Sequence, residues 1–112
     1  MSRHKPILYI VVPCYNEEQV LPHTNPMFVE KIEQLVKKEE IHPQSKIMYV
    51  NDGSKDRTWE LIESYAKSNP SVVGVSQSRN RGHQSSVLAG MYEAIKFADI
   101  VITIDADGQD DI

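Results

Sequence analysis

Four short apolar runs alternate along the chain with three stretches of helical periodicity. The runs Ile7 to Val12, Lys46 to Asn51, Val72 to Ser76 and Ile100 to Asp105 are rich in β-branched residues and predict strands. The last is β-branched at every position from Ile100 to Ile104 and apolar at all but Thr103, the pattern of a strand buried on both faces of a parallel sheet. In the first helical stretch Phe28, Ile32, Leu35 and Val36 share a face, which predicts a helix with Asn25 as N-cap, Pro26 at its first position and an end near Glu40. The preceding Leu21 to Pro26 reads as an insertion that breaks this helix. In the second stretch Leu61, Ile62, Tyr65 and Ala66 share a face, with Ser54 or Asp56 as the start signal and a stop before Pro70. In the third, Val87, Leu88, Met91, Ile95 and Ala98 recur at helical spacing.

Strand and helix in strict alternation predict right-handed βαβ crossovers. The expected fold class is α/β, a Rossmann-like parallel sheet with helices on both faces. No repeat, low-complexity tract or linker interrupts the pattern, and 112 residues support one domain with one core. Ligands of such sheets bind beyond the carboxyl ends of the strands, where strand order reverses, so the residues that follow each strand carry the functional information.

Composition narrows the chemistry. A hydrophobic share of 40% and a charged share of 25% are those of an ordinary globular chain. The formal charge of -4, from 12 basic and 16 acidic residues, gives no electrostatic basis for binding nucleic acid. The single cysteine, Cys14, excludes an internal disulfide and zinc held by cysteine pairs, and fits a reducing compartment. No apolar stretch reaches the roughly 20 residues of a membrane helix, and no signal-peptide core follows Met1 to Pro6. A soluble cytoplasmic piece is the expectation.

Each strand end carries polar residues. After the first comes Pro13-Cys14-Tyr15-Asn16-Glu17-Glu18, without the glycine-rich turn of a dinucleotide fold, which argues against a nicotinamide enzyme. It reads either as a proline turn with Asn16 capping a short helix or as a ligand loop in which Tyr15 stacks on a base. After the second comes Asn51-Asp52-Gly53-Ser54-Lys55-Asp56-Arg57-Thr58. Asp-Gly is a common turn, but Asp52 at a strand tip can also accept hydrogen bonds from a nucleobase N–H or a ribose hydroxyl, with Gly53 allowing close backbone approach.

After the third comes Ser78-Arg79-Asn80-Arg81-Gly82-His83, at the start of a helix. Arg79, Arg81 and Gly82 form either an anion site on free N–H groups or a solvated charged surface. His83 has no partner at metal-ligand spacing. After the fourth comes Asp105-Ala106-Asp107-Gly108-Gln109, whose oxygen donors suit Mg²⁺ or Mn²⁺, ions held by one or two carboxylates together with substrate phosphates.

Taken in order, Pro13-Cys14-Tyr15-Asn16-Glu17, Asn51 to Thr58, Arg79-Asn80-Arg81-Gly82 and Asp105-Ala106-Asp107-Gly108-Gln109 resemble the inverting family 2 glycosyltransferases across nearly the whole chain. The Asn51 to Thr58 segment and the form of the DxD motif look most like the polyprenyl-phosphate sugar synthases, the group of dolichol-phosphate mannosyltransferases and bactoprenol glucosyltransferases. The resemblance implies the N-terminal, donor-nucleotide-binding half of a GT-A fold, spanning residues 1–112 and truncated after the DxD motif. It places Pro13, Tyr15 and Glu17 in the nucleotide pocket, Val50 and Asp52 near the base, and Asp105 and Ala106 in the nucleoside site. Asp107 also touches the donor, and Asp107 with Gln109 would hold Mg²⁺ or Mn²⁺ against its diphosphate. Asn51 departs from the pattern, since many members have an aspartate there.

The implied reaction is metal-dependent, inverting transfer of a hexose from a UDP- or GDP-linked sugar to a polyprenyl phosphate. A phosphate acceptor is already ionised at neutral pH, whereas a saccharide hydroxyl, the alternative acceptor, needs a base. No such base is apparent in these residues and the catalytic base is expected beyond Ile112, so the fragment alone is expected to be inactive. A parent enzyme of this kind would be membrane-associated, with its catalytic domain on the cytoplasmic face. The uncovered half-sheet would favour self-association. Two other α/β classes fit the pattern less well. A sugar-nucleotide pyrophosphorylase should have a glycine-rich basic loop after the first strand, where this chain has Pro13 to Glu18. A non-catalytic nucleotide-binding or response-regulator-type module would instead carry a phosphorylatable aspartate.

Overall fold

The computed structural model describes residues 5–77 and 83–107, the side chains of residues 83–86 excepted. Strands β1 (Leu8–Cys14), β2 (Lys46–Asp52), β3 (Val72–Gln77) and β4 (Ile100–Thr103) form one parallel sheet in the order β3-β2-β1-β4. Helices α1 (Leu21–Lys37), α2 (Thr58–Ser68) and α3 (His83–Ile95) connect them in turn. The α/β architecture expected from the sequence is therefore present, and the order reverses at β1.

Strand β1 is buried at all seven positions, and its alternating side chains serve two cores. Leu8, Ile10, Val12 and Cys14 pack with Leu21, Phe28, Ile32 and Ile62 of α1 and α2. Tyr9 and Val11 turn to the opposite face and pack with Met48, Val50 and Ala94 beneath α3. Helices thus cover both faces, and β1 supplies the central row of each core.

The first helix departs from expectation. It begins at Leu21, four residues before the predicted cap, and the segment read as an insertion is its first turn and a half. Pro22 is tolerated there because the first N–H groups of a helix have no intrahelical acceptor. Pro26 lies inside the helix and removes one bond from its ladder. Asn25 caps nothing; its Oδ1 accepts a hydrogen bond from the Tyr49 hydroxyl at 2.6 Å, tying α1 to β2. At the other end Glu39 takes a positive φ of 61° and Glu40 N–H returns to the Leu35 carbonyl, closing the helix close to the predicted boundary.

The third helix also presents a different face from the one its large side chains predict. Leu88 and Ile95 are 56% and 65% exposed, while Gly90 and Ala94 are buried against the sheet. A Cβ at Gly90 would lie 2.4 Å from Val11 Cγ1 and 2.8 Å from Val50 Cγ2, so only a residue without a side chain permits this approach. Strand β4 is likewise not covered on both faces. Among the described residues it pairs only with β1, and Ile100 is 44% exposed.

Alanine at Gly90 should gain about 1 kcal/mol of helix propensity but incur an overpacking cost of about 1–3 kcal/mol. Val11 and Val50 are stiff, fully buried β-branched residues with no room to withdraw. G90A is therefore expected to lower the free energy of unfolding, measured by urea titration, by up to about 2 kcal/mol.

Candidate functional site

Parallel pairing brings all four strand ends to one edge of the sheet. Strand order reverses between β1 and β4, and in open sheets of this kind ligands bind beyond the carboxyl ends of the strands at such a point.

The β4 end presents its acids here by simple alternation. The Ile104 N–H donates to the Val11 carbonyl at 3.1 Å, continuing the β1–β4 ladder past Thr103. Ile104 and Ala106 are then buried in the larger core, while Asp105 and Asp107 between and beyond them are exposed. Two apolar residues thus anchor the segment and two carboxylates face outward. The Ala106 methyl belongs to the core, so a ligand would meet its backbone.

At the β1 end, Pro13 and Cys14 are buried, Tyr15 is 40% exposed and Glu17 is half-buried. Burial raises the Cys14 thiol far above its ordinary value, assisted by the nearby Glu17 charge, so it behaves as an inert core residue. Asn16 adopts a positive φ of 54°, and the turn it forms is held from the β2 end. Asn16 N–H donates to Ser54 Oγ at 3.0 Å, Glu17 N–H to Thr58 Oγ1 at 2.7 Å, and Glu18 N–H to Asp56 Oδ2 at 3.3 Å. In return, Lys55 N–H donates to Asn16 Oδ1 at 2.8 Å.

At the β2 end, Asp52 is only 3% exposed and Gly53 takes φ 65°, the left-handed turn that its lack of Cβ allows. Val50 is fully buried beneath α3, so its side chain belongs to the core rather than to a solvent-facing pocket. Asn51, the departure from the family pattern, uses both ends of its amide: Oδ1 accepts Ser54 N–H at 3.2 Å and Nδ2 donates to Ser76 Oγ at 3.2 Å. It spans the loop and β3 as donor and acceptor at once, which a carboxylate cannot do.

Asp56 and Thr58 are the residues that sequence reading undervalued. Arg57 is the N-cap of α2 and makes no side-chain cap bond. Asp56 Oδ1 accepts both the Thr58 N–H, at 2.9 Å, and the Thr58 hydroxyl, while Oδ2 reaches across to Glu18. Burial pushes the Asp56 carboxyl upward, but the Thr58 hydroxyl and the N–H groups of Thr58 and Glu18 outweigh it and hold it below the ordinary aspartate value. The available signal was the Asp-x-Thr spacing at a helix start.

Electrostatics joins the three loops. Burial raises the Glu17 carboxyl above its ordinary value, and the charges of Asp107, Asp56 and Asp105 raise it further. Four acids from three strand ends therefore share one field. Among the described residues no three acidic, histidine or cysteine side chains are placed to hold a metal ion alone. One or two exposed carboxylates backed by further negative charge suit a cation that takes its remaining ligands from water and substrate phosphate. Gln109, the second expected metal ligand, and Arg79, Arg81 and Gly82, the expected anion site, lie outside the described residues.

Residues 9–112 match the sequence profile described as Glycosyl transferase family 2. The chain is 46% identical over 112 residues to the uncharacterised glycosyltransferase YkoT of Bacillus subtilis strain 168, covering 100% of this chain and 33% of that protein. It is 38% identical over 104 residues to the bactoprenol glucosyl transferase of Shigella phage SfX, covering 92% of this chain and 31% of that protein. It therefore spans about a third of the length of these relatives. Among solved structures, the mannosyltransferase PcManGT of Pyrobaculum calidifontis, in complex with GDP-Man and Mn²⁺, superposes with a TM-score of 0.68 at 22% identity. That match covers 93% of this chain and 28% of the other. The fold is thus that of GT-A glycosyltransferases.

The raised Glu17 carboxyl has a thermodynamic consequence. The folded chain holds this proton more tightly than the unfolded one, so the group favours folding below the ordinary glutamate range, an advantage lost as the pH rises through the raised value. E17Q removes that dependence. Thermal melts across the acidic to neutral range should show a higher midpoint for E17Q than for the parent at neutral pH and a smaller decline between the two ends.

Proposed function

The chain belongs to glycosyl transferase family 2, and on that premise we propose that its strand-end edge is the donor site for a nucleotide sugar. The observation that carries this reading is the convergence of Glu17 from the β1 end, Asp56 from the β2 end, and Asp105 and Asp107 from the β4 end beside the point where strand order reverses. In this reading Tyr15, the exposed aromatic of the β1 loop, stacks on the base. Asp52 accepts from a base N–H or a ribose hydroxyl, and Pro13 and Asp105, with the backbone of Val50 and Ala106, shape the nucleoside site around them.

Asp107, with Gln109, would hold a divalent ion, Mg²⁺ or Mn²⁺, and the mutual repulsion around Glu17 favours a cation at that place. When bound, such an ion supplies Lewis-acid stabilisation of the charge that develops on the departing nucleoside diphosphate. The chain's own acids do the rest by position. Asp105 and Glu17 add negative potential without needing to ligate, and Tyr15 orients the nucleoside so that the diphosphate lies toward Asp107. The Mn²⁺ and GDP-Man of the Pyrobaculum mannosyltransferase support this assignment.

For the whole enzyme we assign transfer of a hexose to a polyprenyl phosphate with inversion, supported by the likeness to bactoprenol glucosyl transferase. The second pKa of a phosphate monoester is about 6, so such an acceptor attacks as the anion and asks little of a protein base. Residues 1–112 supply the donor half of that reaction.

Calorimetric titration of the folded chain with UDP and GDP, each with and without Mn²⁺, tests the donor site. Binding of one nucleotide that depends on the metal is expected, weakened at least about tenfold by D107N, in line with loss of one charged ligand. A folded chain that binds neither nucleotide overturns the assignment. The 112-residue chain is further expected to transfer no sugar to polyprenyl phosphate, and radiolabel appearing in the lipid would refute that division of labour.

A further inference from the structure

Three consecutive backbone N–H groups, those of Asn16, Glu17 and Glu18, point away from any helix or strand ladder and into side chains of another loop. Such a run would ordinarily be a candidate anion cradle. Here each donor is already taken, by Ser54 Oγ, Thr58 Oγ1 and Asp56 Oδ2 respectively, so the run is structural. The partners lie 38 to 41 residues away in sequence, and they are interlocked themselves. Asp56 takes the Thr58 hydroxyl on the same oxygen as the Thr58 N–H, and that hydroxyl, its proton so directed, offers its lone pair to Glu17 N–H. Thr58 is fully buried at the first turn of α2, so the arrangement is anchored in the core and not in solvent.

We infer that Thr58 and Asp56 are positioning residues for the donor nucleotide. They act on it through the Tyr15–Glu18 turn, whose shape they impose while touching no ligand. Two of the three turn N–H groups rest on this pair, Ser54 Oγ taking the third, and Asn16 sits in a left-handed conformation that costs free energy unless held. The Glu17 carbonyl accepts from Val20 and Leu21, so the same clamp also fixes where α1 begins. The inference rests on the donor-site reading above, because it is Tyr15 and Glu17 that the clamp would aim.

The test pairs hydrogen exchange at individual amides with nucleotide affinity. T58V keeps the volume and removes the hydroxyl; it should speed exchange at Glu17 by about tenfold or more, the scale of one lost hydrogen bond. Nucleotide affinity in Mn²⁺ should fall to a similar degree, while Ile10 and Val12 keep their protection, and T58S should restore both. D56N places an amide against Glu18 N–H and should open Glu18 first, which also serves if the buried T58V variant fails to fold. Unchanged exchange at Glu17 in T58V and at Glu18 in D56N overturns the clamp. Opened amides with unchanged affinity overturn its role in positioning. If the parent chain binds neither UDP nor GDP, the donor-site reading falls and the inference with it, whereas the exchange rates still decide the clamp alone.

Discussion

Strand β1 hydrogen-bonds to β2 along one edge and to β4 along the other, and it contributes alternate side chains to both cores. That placement dictates the rest. A strand with partners on both sides has no edge to expose, so its residues are apolar throughout. The helices that follow must lie on opposite faces if the chain is to reach β2 and β3 in one direction and then return past β1 to β4. The reversal puts the loops that follow β1 and β4 side by side beyond the carboxyl ends of their strands. The gathering of acidic side chains at this edge is therefore set by topology first, and by the side chains themselves second.

What gathers there is negative charge under partial burial. Glu17 sits where desolvation and three aspartates all disfavour its ionised form, while Asp56, nearby, is stabilised as a carboxylate by three donors. The two acids illustrate the same rule with opposite outcomes: hydrogen-bond donors decide whether a partly buried carboxylate stays charged. Asp56 has its charge committed to holding a loop, and Glu17 has its charge uncompensated within the protein's described residues.

Much of this was legible in the sequence, for identifiable reasons. The strands announced themselves because their β-branched runs are continuous, and Asp105 and Asp107 because alternation with Ile104 and Ala106 forces them outward. The first helix was misplaced because prolines were weighed as breakers, although Pro22 falls in the first turn and a 17-residue helix survives the loss of one bond at Pro26. The contact face of α3 was misread because hydrophobic periodicity favours large residues, whereas close packing selected Gly90 and Ala94. The clamp on the Tyr15–Glu18 turn could not be read at all, since its partners meet only through tertiary structure.

The pairing of β1 with β4 joins the first strand in chain order to the last. Ile7 N–H meets the Asp99 carboxylate at 2.8 Å across a separation of 92 residues. Every contact inside that span can form earlier and at lower loop-closure cost, because the cost rises with the logarithm of the length enclosed. The acidic cluster therefore comes into being with the most non-local closure in the molecule, on the slow side of folding for a chain of this size. Before β4 docks, Asp105 and Asp107 lie far along the chain from Glu17 and Asp56; bringing the two groups together sets like charges side by side, and the β1–β4 hydrogen bonds and the burial of Ile104 and Ala106 offset that repulsion.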